Sequence, residues 1–273
     1  MPYVGPHSDA TGCRAEKLMV ASDKPQPRDQ IAVVHKLLDV LECLSVAPHS
    51  AAELAERTGL AKPTVYRLLR TLQSRDFLTK EEEGSNYSFG RAFYALGAAL
   101  RGPTDLVSLA RPLMAQLASE FEETVNLAIP SNGQILYIEV TDGGHRLRTH
   151  IPAGTRDNMH STALGKAILA AYPEQESRVT LSAIDRVRRT PATLVTVSAL
   201  ENEFATVRAR GYAVDNEENE IGTVCVAAAF SGHDGRPVGA LSTSGPSWRV
   251  GEEIVEAMGT ALIAACKSLG ELL

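Results

Sequence analysis

The stretch from Ser50 to Pro63 constrains this chain more than any other. Ser50 stands three residues before Glu53, the spacing of a capping box, and so sets a helix start. Ala51, Leu54, Ala55 and Thr58 give that short helix one apolar face, and Gly59 stops it. Leu60 and Ala61 cross a tight turn. Pro63 suits the first turn of the next helix, where its missing N–H costs nothing. Val65, Leu68, Leu69 and Leu72 form the core face of this third helix. Thr64, Tyr66, Arg67, Arg70, Thr71 and Ser74 lie opposite. Upstream, Val34, Leu37, Leu38, Leu41 and Leu44 recur at helix spacing and end near Pro48. Downstream, residues 77–79 and 87–89 predict a hairpin around a turn with Gly84. Helix, helix, tight turn, helix, hairpin is the order of a winged helix-turn-helix.

The remainder reads as a second domain. An Ala-rich helical segment over 91–100 is closed by Gly102 and Pro103, a natural linker. The pattern then predicts a helix over 106–121 and strands over 124–130, 134–140 and 147–151. Helices follow over 163–171, 174–181 and 199–210. Strands return over 212–214, 224–230 and 237–244, and a helix over 251–269 closes the chain. Mixed strands with segregated helices predict an α+β fold overall. The expected division is an arm over 1–29, a winged helix-turn-helix over 30–90, a linker helix over 91–103 and a sensor-like domain over 104–273. The arm is rich in Pro, Gly, Ser and Asp and cannot bury enough apolar surface to order itself.

Composition narrows the function classes. At 273 residues with 44% hydrophobic content, two cored domains fit. No apolar run reaches the roughly 18–20 residues of a membrane span, so no membrane partner is expected. The first 29 residues lack the apolar segment of a secretory signal. Cys13, Cys43, Cys225 and Cys266 are scattered without CxxC pairing, which excludes a zinc ribbon or disulfide scaffold and suits the cytoplasm. Aromatics at 5% argue against a platform for single-stranded nucleic acid. With a net charge of −6, any nucleic-acid surface must be local, and Lys62 to Arg75 is the one stretch that qualifies, with four cations and no acid.

Four groups of residues could carry chemistry. Lys62, Thr64, Tyr66, Arg67 and Arg70 share the polar face of the third helix, where a helix in a major groove would present them. Arg67 is the candidate for a bidentate guanine or phosphate contact, and Lys62 and Arg70 for phosphate anchoring. A solvated helix face would look the same. In the run from His160 to Ala167, Ser161 or Thr162 can cap a helix whose first amides, on Ala163 and Leu164, would meet an anion. An ordinary capped helix is the plainer reading. Asp215 follows Gly211, and Thr223, Cys225 and Ala227 share one strand face, although a free Cys is commonly just a small core residue. Ser242 and Ser244 offer two hydroxyls side by side on a strand, which could equally face solvent at an edge.

These residues, taken together, resemble the IclR-type transcriptional regulators. The resemblance runs through Leu54-Ala55-Glu56-Arg57-Thr58-Gly59-Leu60 and Pro63-Thr64-Val65-Tyr66-Arg67-Leu68-Leu69. It continues through His160 to Ala167, Arg210 to Asp215, Gly222 to Ala228 and Ser242 to Pro246, in family order, and covers all but the first 29 residues. It implies a winged helix-turn-helix joined by a linker helix to an α/β, GAF-like effector-binding domain. It further implies dimers through the DNA-binding domains, often paired into tetramers, and repression of a catabolic operon. The implied partners are double-stranded operator DNA and a small carboxylate effector. That carboxylate would meet the amides of Ala163 and Leu164, with Asp215, Thr223, Cys225, Ser242 and Ser244 lining the rest.

This chain departs from the family pattern in places. The wing turn carries Glu81, Glu82 and Glu83, which would repel phosphate, and Ser88 stands where family wings often carry Arg. The third helix must then do more of the DNA contact. Ala163 and Leu164 replace smaller residues of some members and narrow the expected pocket. The rival class is a thiol enzyme or redox sensor, with Cys225 as nucleophile and His160 or His150 as base. No nucleophile elbow appears, and the cysteine sits in a run of small apolar residues. A metal site from His145, His150, His160 and Cys225 fits no standard ligand spacing. The expectation is therefore a regulator with no catalytic residues, no assigned metal ligands and no cofactor.

Overall fold

The computed structural model describes residues 31–81, 85–100 and 105–273. The arm expected over 1–29, the acidic wing residues Glu82 and Glu83, and the end of the expected linker lie outside the described residues. The chain divides into two compact units that meet between Leu100 and Arg101 in sequence.

The first unit runs α1 (Ala32–Val46), β1 (His49–Ser50), α2 (Ala51–Thr58), α3 (Lys62–Gln73), β2 (Leu78–Lys80), β3 (Asn86–Phe89) and α4 (Ala92–Leu100). The capping box is formed in both directions: the Glu53 amide donates to Ser50 Oγ at 3.3 Å and the Ser50 amide to Glu53 Oε2 at 2.8 Å. Such a cap contributes about 1 kcal/mol. Gly59 ends α2 at φ +68°, a conformation that L side chains rarely adopt. Val65, Leu68, Leu69 and Leu72 are all buried, against Leu54, Ala55, Leu78 and Tyr87.

Two expectations change here. Val34 and Leu38 are 44% and 47% exposed, because the buried stripe of α1 runs through Val40 and Leu44, with Leu37 and Leu41 packed beside them. That spacing of three and four residues leaves Val34 and Leu38 on the adjacent face. The hairpin is also a three-stranded sheet, ordered β1-β3-β2, because His49 and Ser50 pair with Tyr87 and Asn86. Phe93 of α4 packs edge-on against Phe77 and Phe89, at 5.3 and 4.6 Å between ring centres.

The second unit begins with α5 (Leu106–Phe121), β4 (Thr124–Ser131), β5 (Gln134–Thr141), β6 (Arg156–Asn158), α6 (Ala163–Ala171) and α7 (Glu174–Ala183). It continues with α8 (Val197–Arg210), β7 (Ala213–Asn216), β8 (Thr223–Ser231), β9 (Pro237–Pro246) and α9 (Glu252–Gly270). Six antiparallel strands form one sheet in the order β6-β5-β4-β9-β8-β7. The period-2 pleat divides β8 between two cores. Val224, Val226, Ala228 and Phe230 face α5 and α9. Cys225, Ala227 and Ala229 face α6 and α8.

Residues 147–151 are not the expected strand. The edge of β5 is taken instead by β6, which pairs Arg156 to Asn158 with Leu136 to Gln134. The segment is pinned by side chains: Thr124 Oγ1 donates to the Thr149 carbonyl at 2.7 Å, and Thr149 Oγ1 to the Ser244 carbonyl at 3.2 Å. Arg249 also holds the Leu147 carbonyl at 2.9 Å while pairing with both oxygens of buried Glu123.

Candidate functional site

On the first unit, α3 presents one free polar face. Lys62, Tyr66, Arg67 and Arg70 are exposed and Thr64 is half-buried. Among the described residues, the side chains of Lys62, Arg67 and Arg70 make no ion pair or hydrogen bond. The buried face of the same helix fixes its rotation, so all five candidate side chains lie on one accessible side.

On the second unit, a cavity of about 530 Å³ opens between the sheet, the start of α6 and the segment 147–151. It is lined by Ala163, Leu164, Asp215, Thr223, Cys225, Ser242 and Ser244 together. These seven come from α6, β7, β8 and β9, and the antiparallel register explains their meeting. Asp215 stands opposite Cys225, Cys225 opposite Ser244, and Ala227 opposite Ser242. The two serines are on a central strand and buried, which removes the solvent-edge reading.

Thr162, not Ser161, caps α6: its Oγ1 accepts from the Gly165 amide at 3.1 Å and donates to the Asn158 carbonyl at 2.6 Å. Ser161 donates instead to Asn219 Oδ1 at 2.8 Å. The first amides of the helix, on Ala163 and Leu164, keep no intrahelical acceptor and carry the positive end of the helix dipole. Gly165 allows this end to approach so closely. A Cβ there would lie 2.3 Å from the Cα and carbonyl oxygen of Met159.

Asp215 is buried, and burial pushes its carboxyl up to about 7. The Glu218 and Asn219 amides, donating to Oδ1 at 2.7 and 3.1 Å, offset only part of that cost. Burial and the neighbouring Asp215 also hold the Cys225 thiol above its ordinary range. Neither histidine proposed as its base bonds to it: His160 Nε2 meets the Val187 carbonyl at 3.0 Å, and His150 Nδ1 meets Asp142 at 3.3 Å. A thiol held in its protonated form is a poor nucleophile and a poor sensor of oxidants. Among the described residues no group of three or more His, Cys, Asp or Glu could hold a metal ion.

Several wall residues escape a reading of the sequence. Tyr137, Asn219, Trp248 and the segment 147–151 also line the cavity. Asn126, on the neighbouring strand β4, donates to both serines. Behind α6, Lys166 is buried and holds Glu203, Glu218 and the Val214 carbonyl.

Comparison with known proteins places both units. Residues 33–82 match the family model described as the IclR helix-turn-helix domain, and residues 99–270 match the bacterial transcriptional regulator IclR C-terminal model. The chain is 32% identical over 240 residues to the HTH-type transcriptional regulator BhcR of Paracoccus denitrificans, covering 88% of this chain and 86% of that protein. It is 31% identical over 244 residues to the transcriptional repressor IclR of Escherichia coli, covering 88% and 89%. Among solved structures, the Thermotoga maritima IclR superposes with a TM-score of 0.71 at 27% identity, covering 87% of this chain and 97% of that one. An IclR regulator from Alicyclobacillus acidocaldarius gives 0.78 at 25% identity, covering 89% and 99%. A helix-turn-helix with a polar, unpaired third helix, a six-stranded domain around a small-molecule cavity, and two family models that between them span nearly all of the described chain lead to one assignment: the protein belongs to the IclR family of bacterial transcriptional regulators.

Proposed function

We propose that this DNA-binding regulator represses a catabolic operon and is switched by a small carboxylate held in the cavity of its second unit. One observation carries the ligand assignment. Ala163, Leu164, Asp215, Thr223, Cys225, Ser242 and Ser244, scattered along the sequence, line one cavity with two free helix amides and two hydroxyls. Oxygen acceptors fit that set better than an apolar ligand. Repression is supported by similarity to the Escherichia coli repressor. A ligand that favours one arrangement of the protein changes DNA affinity by the difference in its own affinity for the two arrangements, typically about 1–3 kcal/mol.

The operator contact is assigned to Lys62, Thr64, Tyr66, Arg67 and Arg70 on α3. Arg67→Ala should weaken operator binding by about 1–3 kcal/mol, roughly fivefold to 150-fold, with the thermal midpoint unchanged. Fluorescence anisotropy on DNA from the upstream region measures this, and an unchanged affinity removes Arg67 from the interface. Self-association as a dimer, with dimers pairing into tetramers, is supported by exposed Ile31, Val33, Val34 and Leu38 on and beside α1 and by exposed Tyr94 and Leu96 on α4. Sedimentation of the full chain as a monomer at micromolar concentration would remove this part. Among the described residues no helix is long and apolar enough to cross a membrane.

The cavity assignment has its own test. Replacing both Ser242 and Ser244 by Ala removes two hydroxyl donors, each worth about 1 kcal/mol net or more when the acceptor is charged. A panel of small carboxylates, screened by thermal shift, should include a compound that stabilises the unaltered protein and stabilises the double variant at least tenfold less effectively. Equal stabilisation of both proteins places the ligand elsewhere.

A further inference from the structure

Asn126 lies on β4 directly across from Ser242, so the two side chains share one face of the sheet, and it is buried. Its Nδ2 donates to Ser242 Oγ at 3.2 Å and to Ser244 Oγ at 3.3 Å. Among the described residues its Oδ1 has no hydrogen-bond partner. The opposite orientation of the amide would strand two N–H donors in place of one acceptor, so the hydrogen-bonding balance favours the direction observed.

That direction has a chemical consequence. A serine hydroxyl has one hydrogen and two lone pairs. Each serine spends a lone pair on Asn126, which leaves its hydrogen to point elsewhere. Both serines line the cavity. Ser244 also reaches Cys225, whose sulfur is a weak acceptor that a ligand oxygen outcompetes. The floor therefore presents hydrogens to its occupant. An aspartate of the same shape would accept from both serines and turn those hydrogens away.

We propose that Asn126 is a positioning residue that sets the polarity of the effector cavity: by donating to Ser242 and Ser244 it makes both hydroxyls donors, so the floor takes an oxygen acceptor such as a carboxylate and rejects a group that arrives as a donor. This rests on the reading that the cavity holds the effector. It adds a residue outside the cavity wall that selects the ligand's chemistry without touching it.

Matched acids and amides test it. Glycolate and glycolamide form one pair of probes, and 4-hydroxybenzoate and 4-hydroxybenzamide another, with affinities from calorimetry on the full-length protein. The unaltered protein should bind at least one acid, and bind it tenfold or more tighter than its amide. Asn126→Asp should cut affinity for the acid at least tenfold and pull the acid-to-amide ratio to near one or below. Ligand-free binding to operator DNA should persist. The acid deficit of Asn126→Asp relative to the unaltered protein should shrink at pH 5, where the introduced carboxyl takes up a proton and can donate again. A purely structural role would lower acid and amide affinity together at every pH, and that result overturns the proposal. So does a preference of the unaltered protein for the amide, which needs no variant to be measured. Failure of the unaltered protein to bind either acid overturns the carboxylate reading and this inference with it. An unchanged acid preference in Asn126→Asp overturns this inference alone.

Discussion

Lys166→Met should lower the stability of the effector domain by about 3–5 kcal/mol, the cost of removing one partner from a buried ion pair. Lys166 is 1% exposed on the inner face of α6. Its ammonium donates to Glu203 Oε1 at 3.3 Å, to the Val214 carbonyl at 2.6 Å and to Glu218. Glu203 has a second cation in Arg210 at 3.3 Å, whereas among the described residues Lys166 is the one cation paired with buried Glu218. Methionine fills the volume and leaves the Glu218 carboxylate without a cation. Adding Glu218→Gln should recover a large part of the loss, since the two positions share one network. At roughly 2–4 °C per kcal/mol for a domain of this size, the thermal midpoint should fall by about 10 °C. A midpoint within a degree or two of the unaltered protein would mean that the lysine is not paired in the folded state.

Asp215 gives the second large effect, and its direction is set by proton linkage. Burial raises its carboxyl from 3.8 to about 7 in the folded protein. Between these values the folded state holds a proton that the unfolded state has released. Stability attributable to this group is therefore greatest at low pH, declines as pH rises from about 4 to 7, and levels off above. The full shift corresponds to a few kcal/mol as an upper bound. Asn keeps an oxygen for the Glu218 and Asn219 amides and never ionises. Asp215→Asn should then match the unaltered protein near pH 3, below both values, and exceed it in thermal midpoint by a growing margin up to pH 8. Parallel profiles across that range would show that Asp215 is an ordinary ionised carboxylate.

The same residue bears on ligand binding. Asp215 Oδ1 is occupied by two backbone amides, and the rest of the carboxyl faces the cavity. Lys166 sits behind this wall, committed to its own partners. A carboxylate ligand thus meets helix amides and hydroxyls on one side and an acid near neutrality on the other.

Local signals made the first unit legible. The capping box at Ser50, the stop at Gly59 and the apolar stripe of α3 are contacts between near neighbours, and all formed as read. The rotation of α1 was less legible, because its apolar positions exceed what its packing partner covers. In the second unit, helix and strand positions followed from periodicity, while residues 147–151 did not. Their backbone is held by threonine side chains and Arg249 from distant strands, which no local pattern encodes. The cavity residues were readable as weak single signals that the family resemblance joined. Asn126 and Lys166 leave a trace in the sequence: each is a lone polar residue inside an apolar run, Val125 to Ile129 and Ala163 to Ala170. Burying an amide or a charge costs free energy unless it is partnered. Such a residue therefore signals a specific partner, but not which one.

On the proposed function, occupancy of this cavity controls operator binding. The most direct measurement is fluorescence anisotropy of the full-length protein on duplex DNA from its own upstream region, with an unrelated duplex as control. Each is titrated with a carboxylate found to stabilise the protein, on the unaltered protein and on the Ser242→Ala, Ser244→Ala double variant. The expected result is selective binding that weakens steeply with salt, an affinity moved fivefold or more by the carboxylate, and loss of that response in the double variant with DNA binding intact. Selective DNA binding that no cavity-bound carboxylate alters, or a response that survives in the double variant at the same concentration, would contradict it.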